Sequence, residues 1–581
     1  MIYNKRQLLL ELEKGIMNKK WEICSSSEDE VKRLEKKYNI SNLLATVLVN
    51  RGITEDEQIR TFLDPVRTDF HDPFNMPDMG KAVDRITAAM KKNEKVVIYG
   101  DYDVDGITST TVLKKFLEEH GLKVDYKIPN RLSEGYGLNI DAIKEIAEQK
   151  YNLIITVDCG ISGIEEIDYA TKLGIDVIVT DHHEPLEEIP KCVAVIDCKR
   201  EDSKYECNSL AGCGVVFKLI QAISIKNGYK EEDYLKYLDI VCVGTISDIV
   251  PLVDENRVIA KLGLKLVNKT KNLGLKSLIE STGYKETSSS TVSFGLAPRI
   301  NACGRMGYEE EALKLFLTDD LKEAQSITSK LNDFNKERQS IEKKIYDEAI
   351  EQIEAKHLDK NSIIIVGGEN WHHGVIGIVS SKITELYYKP SILVCFEEDG
   401  TVKGSGRSIA GFDLHGALND LNDLLIKFGG HEMAIGLSLK KENYEEFCKK
   451  MQAIADESNI SELLPVLKID KEITINNLTI KEVESLNSLE PFGELNKTPY
   501  FLYKNLKIDS IRAISEGKHL KLTLKEEQNG SIISSIGFNQ GELAEDYRLF
   551  DKVDVVGTLE INEFNNKKSV QINLKDIRKS I

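Results

Sequence analysis

Acidic and histidine residues recur in four short motifs that could bind divalent metal ions. The first is Asp101-Tyr102-Asp103-Val104-Asp105-Gly106, in which three carboxylates stand at alternate positions. The next two are Thr156-Val157-Asp158-Cys159-Gly160 and Thr180-Asp181-His182-His183, and Asp248 stands within the apolar stretch Gly244–Leu252. Carboxylate oxygens are ligands that Mg²⁺ and Mn²⁺ accept, and an added imidazole favours Mn²⁺. The residue types therefore predict a divalent-metal site.

Each motif also has a less specific interpretation. The first could be a calcium-binding or solvated acidic loop, but an EF-hand loop would need a glutamate at its twelfth position and a helix on each side, and neither fits. Asp158 alone is typical of a helix cap or a turn. Adjacent histidines face one site only from a loop, because neighbours in a strand point to opposite sides. A buried Asp248 is costly unless it is paired or bound to metal.

The apolar runs that precede the first three motifs predict strands of a parallel sheet. Continuous valine and isoleucine runs separated by helical segments, such as a helix expected near Thr108, indicate strands buried on both faces. The predicted strands are Val96–Tyr99, Leu153–Val157, Asp176–Thr180 and Val193–Ile196. Ligands bind beyond the carboxyl ends of such strands, so we expect the motifs to share one site.

The chain of 581 residues is long enough for about three or four domains. Short alternating strands, from Leu467–Asp470 to Ser569–Asn573, predict a C-terminal β-barrel of the oligonucleotide-binding (OB) type. We divide the chain into a helical N-terminal extension (1–80), an α/β catalytic domain with a parallel sheet (81–308), a long connecting helix (309–360), a second α/β domain (361–458) and the barrel (459–581).

Composition excludes several classes of protein. A net charge of −18 argues against a protein that coats DNA, although it is compatible with a nuclease. Ten cysteines without a CxxC pair indicate reduced thiols instead of a zinc site or a disulfide framework. The sequence has neither a signal-peptide pattern nor an apolar run of about 18 residues, so we expect a cytoplasmic protein that does not span a membrane.

The four motifs, in this order, resemble the DHH phosphoesterase superfamily, whose name comes from the third motif. Later motifs narrow the resemblance to its bacterial exonucleases that digest single-stranded DNA from 5′ to 3′. These are Pro298–Arg305, Gly367–Gly377, Gly404–Ser408, Gly429–His431 and Leu489–Gly493. The resemblance covers roughly residues 40–575 and implies an α/β fold with a DHH domain, a connecting helix, a DHHA1 domain and an OB barrel.

The resemblance also implies roles for individual residues. Two divalent ions, Mn²⁺ preferred or Mg²⁺, would be held by Asp101, Asp103, Asp105, Asp158, His182 and Asp248, with Asp158 as the bridge. His183 would contact the scissile phosphate or support the ligands, and Tyr99 stands where some relatives have a ligating histidine. Substrate would be bound by Arg299, Asn301, Arg305, Ser405, Arg407, Ser408, Gly429, Gly430 and His431.

The implied reaction is two-metal hydrolysis of single-stranded DNA to mononucleotides, in DNA repair and recombination. The implied partners are single-stranded DNA, a single-strand-binding protein and a RecQ-type helicase, and the implied state is a monomer. Bases could stack on aromatic residues of the barrel, for which the candidates are Tyr500, Phe501, Tyr503, Phe538 and Phe564.

Two other functions stay open. One is a DHH enzyme for oligoribonucleotides or small nucleotides, which would not need the predicted barrel. The other is a non-catalytic replication scaffold, which the unbroken ligand set disfavours.

Overall fold

The computed structural model describes residues 19–580, without the side chains of Ser461 and Phe564. Internal contacts divide the chain into two compact units. Unit 1 comprises the described residues up to Thr54, Gln339–Ser488 and the residues from Thr498 onward, and unit 2 comprises Glu55–Arg338 and Leu489–Lys497. No helix in the described part of the chain is long and apolar enough to cross a membrane.

The first described residues form a strand, where a helical extension is predicted. Strand β1 (Lys20–Ile23) is followed by helices α1 (Glu28–Tyr38) and α2 (Asn42–Asn50) of unit 1, and α3 (Asp56–Leu63) belongs to unit 2. Strand β1 pairs in parallel with Val466–Ile469, and Trp21 donates a hydrogen bond to Asp576. Four residues are too few to show a period, and their pairing partner is distant in the sequence, so local patterns do not reveal this strand.

Unit 2 is built on a five-stranded, fully parallel sheet. Its strands are β2 (Val96–Gly100), β3 (Val124–Lys127), β4 (Leu153–Val157), β5 (Asp176–Thr180) and β6 (Ala194–Ile196). They lie in the order β3-β2-β4-β5-β6, and β2 and β4 are buried throughout, as their apolar runs predict. The register aligns Gly100 with Val157, Val157 with Thr180, and Thr180 with Ile196, so these four strands end at one level.

Helices make up most of the rest of unit 2. They are α4 (Met79–Lys92), α5 (Val104–Glu119), α6 (Ile140–Glu148), α7 (Ile164–Lys172), α8 (Gly212–Asn227), α9 (Glu231–Leu235), α10 (Leu238–Ser247), α11 (Asp254–Val267), α12 (Leu273–Thr282) and α13 (Ala297–Arg305). A π-helical turn, Val292–Leu296, leads into α13. Helix α5 begins four residues before the predicted Thr108, because Asp103 caps its first turn.

The predicted connecting helix is divided in two. Helix α14 (Glu309–Leu317) ends before Thr318, and the 35-residue helix α15 (Leu321–Ala355) runs from unit 2 into unit 1. The side chain of Asp320 accepts hydrogen bonds from the backbone amides of Lys322 and Glu323, which starts a new helix there.

Unit 1 contains a second α/β layer. Its sheet has the order β10-β11-β9-β8-β7, with β7 and β8 parallel and the other pairs antiparallel. In chain order the elements are β7 (Ile364–Glu369), α16 (His373–Tyr387), β8 (Ser391–Phe396), β9 (Thr401–Arg407), α17 (Leu414–Asn419), β10 (Leu425–His431), β11 (Ala434–Lys440) and α18 (Tyr444–Glu457).

The C-terminal part of unit 1 is a closed barrel. After β12 (Val466–Ile469), β13 (Lys471–Glu472) and α19 (Ile480–Ser485) come β14 (Phe501–Ile514), β15 (His519–Glu526), β16 (Ile532–Gly537), β17 (Lys552–Phe564) and β18 (Lys567–Lys579). The order β14-β15-β16-β18-β17 closes through β14 and β17, which is the OB arrangement. The predicted strand Leu467–Asp470 is not part of this barrel, because β12 pairs with β1 instead.

Candidate active site

Four aspartates stand directly after neighbouring strands of the parallel sheet. Asp101, Asp158, Asp181 and Asp197 are the first residues after β2, β4, β5 and β6, and all four are buried. Because those strands end in register, the four side chains lie at one edge of the sheet. This is the edge at which parallel α/β sheets bind their ligands.

The predicted metal ligands gather into three overlapping groups, in each of which the potential ligand atoms lie within 4.8 Å of one another. The groups are Asp101, Asp103 and Asp158; Asp158, His182 and His183; and Asp105, His182 and Asp248. Nε2 of His182 lies 3.0 Å from Oδ1 of Asp158, 3.8 Å from Asp105 and 3.7 Å from Asp248. The structure thus brings all seven predicted catalytic residues together, with Asp158 and His182 shared between groups.

Helix termini hold two of these carboxylates in place. Asp103 caps α5 and accepts hydrogen bonds from the backbone amides of Asp105 and Gly106, at 2.9 and 3.1 Å. Asp105 accepts backbone hydrogen bonds from Gly212 and Cys213, at 2.6 and 2.8 Å, in the first turn of α8. Amides at a helix start lack partners within the helix, so a carboxylate satisfies them. Asp248 lies at the C-terminal end of α10.

Close packing fixes the loops that carry Asp101 and Asp158. The backbone of Asp158 is in the left-handed region, with φ of 59°, which is uncommon for a residue other than glycine. A Cβ at Gly212 would lie 2.7 Å from Oδ1 of Asp158, and one at Gly106 would lie 2.4 Å from the carbonyl oxygen of Asp101. Glycine at positions 106 and 212 therefore allows the two loops to approach these helices.

The electrostatics of the cluster are unfavourable without a cation. Burial, together with the neighbouring carboxylates, raises the pKa of Asp101, Asp158 and Asp248 well above the usual value. Burial lowers the pKa of His182 to about 4, so its imidazole is neutral and can donate a lone pair. Oδ1 of Asp101, Oδ1 of Asp158 and Nε2 of His182 are buried without a hydrogen-bond partner among the described residues.

A divalent cation fits this donor set. Buried polar atoms normally have partners, and oxygen-rich sites with one imidazole suit Mn²⁺ and, less well, Mg²⁺. Tyr99, by contrast, faces away from the cluster: its hydroxyl donates to the carbonyl oxygen of Gly137 and accepts from Asn139.

Three residues near the cluster were not among the predicted site residues. Asp181 accepts hydrogen bonds from the backbone amides of His182, His183 and Ile161, and Nδ1 of His183 lies 2.7 Å from its Oδ1. Although burial opposes the charge, the bond from His183 holds the pKa of Asp181 below the usual value. The position of Asp181 at a strand end was the available signal.

The other two residues are Tyr136 and Asp197. The Tyr136 hydroxyl lies 3.1 Å from Nδ1 of His183 and donates to the carbonyl oxygen of Asp158 at 3.2 Å. Burial raises the pKa of Asp197 to about 7, and its Oδ2 has no hydrogen-bond partner among the described residues. Tyr136 lies in a loop without a periodic pattern, so only the structure reveals it.

Helix α13 carries three predicted substrate residues of unit 2. Arg299 is engaged in packing, because it donates to Asn332 at 2.7 Å and to the carbonyl oxygen of Gly295 at 2.5 Å. A Cβ at Gly304 would lie 2.9 Å from the carbonyl oxygen of Tyr102, so α13 packs closely against the backbone of the first motif. Asn301 and Arg305 are half-buried on the same helix.

The second sheet presents four of the six remaining predicted substrate residues on one face. Arg407 pairs with Ala434, which pairs with His431, and Ser405 pairs with Gly436, which pairs with Gly429. Direct cross-strand partners share a face, so Arg407, His431 and Ser405 point the same way. A Cβ would meet nothing within 4 Å at Gly429 or Gly436, which leaves an open backbone surface. We call these six residues the glycine shelf.

Two predicted substrate residues do not reach that surface with a side chain. Gly430 has φ of 132°, and a Cβ there would lie 2.2 Å from the carbonyl oxygen of Ala434, so it shapes the turn into β11. Ser408 is 5% exposed, and its hydroxyl donates to the carbonyl oxygen of Phe412 at 2.7 Å. Ser408 therefore stabilises a turn instead of facing solvent.

The barrel aromatics divide into core and surface residues. Phe501 and Tyr503 are fully buried, and Tyr500 packs against the small cluster around Leu467. Phe538 is half-exposed beside His519, with ring centroids 5.3 Å apart. Phe538 is thus a candidate base-stacking residue, and the side chain of Phe564 lies outside the described residues.

Comparisons with known proteins agree with this architecture. Residues 95–245 match the N-terminal domain of the DHH family, residues 360–457 match the DHHA1 domain, and residues 469–576 match the RecJ OB domain. The chain is 41% identical over 562 residues to the single-stranded-DNA-specific exonuclease RecJ of Bacillus subtilis, covering 96% of this chain and 70% of that protein. It is 32% identical to RecJ of Escherichia coli, covering 86% of this chain and 89% of that one.

Solved structures give the same assignment. The crystal structure of RecJ in complex with Mn²⁺ from Thermus thermophilus superimposes with a TM-score of 0.84 at 30% identity, covering 97% of this chain and 80% of that chain. A Mg²⁺ complex of RecJ from the same organism gives a TM-score of 0.78 at 28% identity, covering 97% and 79%. With its DHH, DHHA1 and OB domains and its carboxylate and histidine cluster, the chain belongs to the RecJ family of DHH exonucleases.

Proposed function

We propose that this chain is a metal-dependent exonuclease that hydrolyses single-stranded DNA from the 5′ end to mononucleotides. The observation that carries the proposal is the overlap of the three ligand groups at Asp158 and His182. Two neighbouring cation positions that share a carboxylate are what two-metal hydrolysis of a phosphodiester needs.

The residues that would hold the ions are Asp101, Asp103, Asp105, Asp158, His182 and Asp248, with Asp158 between the two positions. The pair of cations, when bound, would lower the pKa of a water molecule and neutralise charge on the phosphoryl oxygens. The buried carboxylates would supply the negative charge that attracts these cations and would hold them at the edge of the sheet. The low pKa of His182 keeps its lone pair available near neutral pH.

His183 would hold the scissile phosphate. Both hydrogen-bond contacts of its ring, to Asp181 and to Tyr136, involve Nδ1, and this leaves Nε2 for a substrate oxygen. Although burial disfavours the charged imidazole, the bond to Asp181 raises the pKa of His183 above its usual value. A protonated Nε2 would donate a charge-assisted hydrogen bond to a phosphoryl oxygen.

The glycine shelf would bind the nucleotide backbone. An arginine can donate two parallel hydrogen bonds to one phosphate, and glycines permit close approach of the main chain. Arg407 and His431 stand on one face of the sheet, and the open backbone at Gly429 and Gly436 lies beside them. We assign phosphate binding to Arg407 and His431, and supporting contacts to Ser405 and Gly429.

Preference for single strands would come from the barrel and its half-exposed Phe538, since unpaired bases can stack on such a ring. The relatives named single-stranded-DNA-specific exonucleases support this assignment. The proposal also includes 5′-to-3′ polarity and a role in repair and recombination. It further includes a monomeric state and cooperation with a single-strand-binding protein and a RecQ-type helicase. A barrel that closes on five strands favours a polymer over a small nucleotide as the substrate.

The test incubates the protein and Mn²⁺ with two single-stranded oligonucleotides. The first has a 5′-phosphate and is prepared in two forms, labelled at the 5′-terminal or at the 3′-terminal nucleotide. The second has a blocked 3′ end. The proposal predicts early release of the 5′-terminal mononucleotide from both, little digestion of a blunt duplex, and no activity in Asp158→Ala. Digestion from the 3′ end would contradict the polarity, and an unreactive wild-type protein that binds Mn²⁺ would contradict the exonuclease assignment.

A further inference from the structure

The segment Leu489–Lys497 packs in unit 2, although the residues on both sides of it belong to unit 1. We call this segment the strap. It contains the motif Leu489–Gly493, to which the proposed function assigns no role. Its hydrogen bonds and packing show which part of unit 2 it contacts.

A buried arginine anchors the strap. Arg257 is 1% exposed, and its guanidinium donates to the carbonyl oxygens of Leu489 and Glu490 at 3.1 Å each and of Phe62 at 2.6 Å. The guanidinium carbon lies 3.5 Å from the centre of the Phe62 ring. Burial of a guanidinium is costly unless its donors are matched, so these carbonyl groups fix the strap at this point.

Hydrogen bonds within the strap also stabilise its conformation. Asn496 is fully buried, and its side-chain amide donates to the carbonyl oxygens of Leu489 and Pro491, at 2.8 and 2.7 Å. Gly493 and Asn496 exchange backbone hydrogen bonds at 3.0 and 3.2 Å. The turn between them is therefore rigid, and it presents Gly493 and Glu494 to the rest of unit 2.

That turn contacts the loop after the metal ligand Asp248. The backbone amide of Leu252 donates to the carbonyl oxygen of Glu494 at 2.9 Å. A Cβ at Gly493 would lie 2.5 Å from Cδ1 and 2.9 Å from Cγ of Leu252, so the Leu252 side chain would have to shift. Glycine at position 493 lets the strap lie on Leu252 without that shift, for which the buried Leu252 side chain has little room.

The loop that the strap contacts is strained. Ile249, immediately after Asp248, has φ of 63°, a conformation that a β-branched residue strongly disfavours. Its side chain is 71% exposed, so its own packing does not hold it there. Such strain persists only when the surroundings impose it. The strap at Leu252 and the bond from Asn256 to the carbonyl oxygen of Pro251, at 3.1 Å, are the contacts that can do so.

We propose that Gly493 and Arg257 are positioning residues for Asp248. The strap holds Leu252, Leu252 holds the strained turn at Ile249, and that turn keeps Oδ2 of Asp248 3.7 Å from Nε2 of His182. The inference rests on the proposed function only in that Asp248 serves the reaction as a metal ligand. It explains why residues about 240 positions after the fourth motif form part of the same catalytic unit.

The test compares Gly493→Ala with Gly80→Ala, a matched change in unit 2 where an added Cβ would meet nothing within 4 Å. Mn²⁺ affinity is titrated by electron paramagnetic resonance without DNA, and hydrogen exchange is followed in a peptide spanning 249–253. We expect Gly493→Ala to weaken Mn²⁺ binding about tenfold and to speed exchange of the Leu252 amide, because lost support around metal ligands has effects of this size. Gly80→Ala should match the wild type in both.

Faster exchange at Leu252 with unchanged Mn²⁺ affinity would overturn the inference, and so would no change in either quantity. If Gly493→Ala does not fold, Asn496→Asp, which sets a carboxylate against the two strap carbonyls, replaces it under the same criteria. The wild-type nuclease assay separates the two proposals. A wild type that fails to digest single-stranded DNA contradicts the proposed function, whereas the Mn²⁺ titration alone decides on the strap.

Discussion

Nε2 of His182 and Oδ1 of Asp158 lie 3.0 Å apart, yet neither atom has a hydrogen-bond partner in the described part of the chain. Burial keeps the imidazole of His182 neutral near pH 7 and, with the neighbouring carboxylates, raises the pKa of Asp158, so two polar atoms lie buried and unpaired. A cation bound between these two atoms would be coordinated by both of them. The metal-free protein therefore carries an unfavourable charge arrangement at the centre of its site.

Asp158→Asn should stabilise the metal-free protein while it removes activity. The change deletes a buried charge whose pKa is raised by burial and by Asp105, and asparagine tolerates the left-handed backbone. We expect a gain of about 1–3 kcal/mol in unfolding free energy in EDTA. The rate should fall by about 10²–10³-fold. Urea unfolding and a nuclease assay measure the two effects.

Added Mn²⁺ supplies the control for that experiment. It should raise the melting temperature of the wild type, because a ligand that binds only the folded state stabilises it, and it should have little effect on Asp158→Asn. A variant less stable than the wild type in EDTA would show that Asp158 has a structural role instead.

Tyr136→Phe should slow the reaction without weakening metal binding. The change removes one hydroxyl that contacts Nδ1 of His183 and the carbonyl oxygen of Asp158. We expect kcat to fall about tenfold, the size of effect typical of groups that orient a catalytic residue. Tyr229→Phe, at a ring that stacks on His120, is the matched control. Equal kcat values for the two variants would show that the Tyr136 hydroxyl does not contribute to the reaction.

Asp197→Asn should stabilise the protein in a pH-dependent way. Because burial raises the pKa of Asp197 to about 7 in the folded state, the folded protein binds this proton more tightly than the unfolded chain does. Stability from this group is therefore lost as pH rises from about 4 to 7, and the loss persists above pH 7. The variant should exceed the wild type by about 4 kcal/mol at pH 8, and by about 1–2 kcal/mol at pH 5.

The measurement is urea unfolding in EDTA at the two pH values. The backbone amide of Lys199 keeps its acceptor, because the asparagine oxygen can replace Oδ1 of Asp197. A difference between variant and wild type that does not change with pH would show that Asp197 is ionised, or compensated, in the native protein.

Arg407→Ala and Ser408→Ala should have different effects although the residues are adjacent. Arg407 belongs to the glycine shelf, so its loss should raise KM for single-stranded DNA and leave the fold intact. Ser408 is buried and donates to Phe412, so its loss should cost about 1 kcal/mol of unfolding free energy and leave KM unchanged. Steady-state kinetics and thermal unfolding distinguish the two; equal changes in KM would contradict the orientation described for Ser408.

The sequence predicts the strands that carry the site because each strand is marked by its own run of apolar residues. Val96–Gly100, Leu153–Val157 and Asp176–Thr180 are continuous apolar runs that end at a carboxylate, and parallel strands bring such ends to one edge. The order of residues along the chain is therefore enough to group the carboxylates and histidines of the first three motifs. Asp248 joins them from a helix end, which its apolar surroundings suggested through the cost of burial.

The features that the sequence does not predict depend on distant partners. Strand β1 needs β12, and the strap needs Arg257, and no local period reveals either pairing. Tyr136 and Asp181 act through hydrogen bonds to His183, which composition and spacing do not display. The inward orientation of Ser408 depends on a turn closed by Phe412, so a motif match alone assigned it to the substrate.

The most direct test of the central claim is a crystal of this protein soaked in MnCl₂, measured at the manganese absorption edge. We predict two anomalous peaks about 3.5–4 Å apart at the carboxyl edge of the parallel sheet, both within ligand distance of Asp158. Peaks located elsewhere, or a Mn²⁺ position that Asp158 and His182 do not contact, would contradict the account.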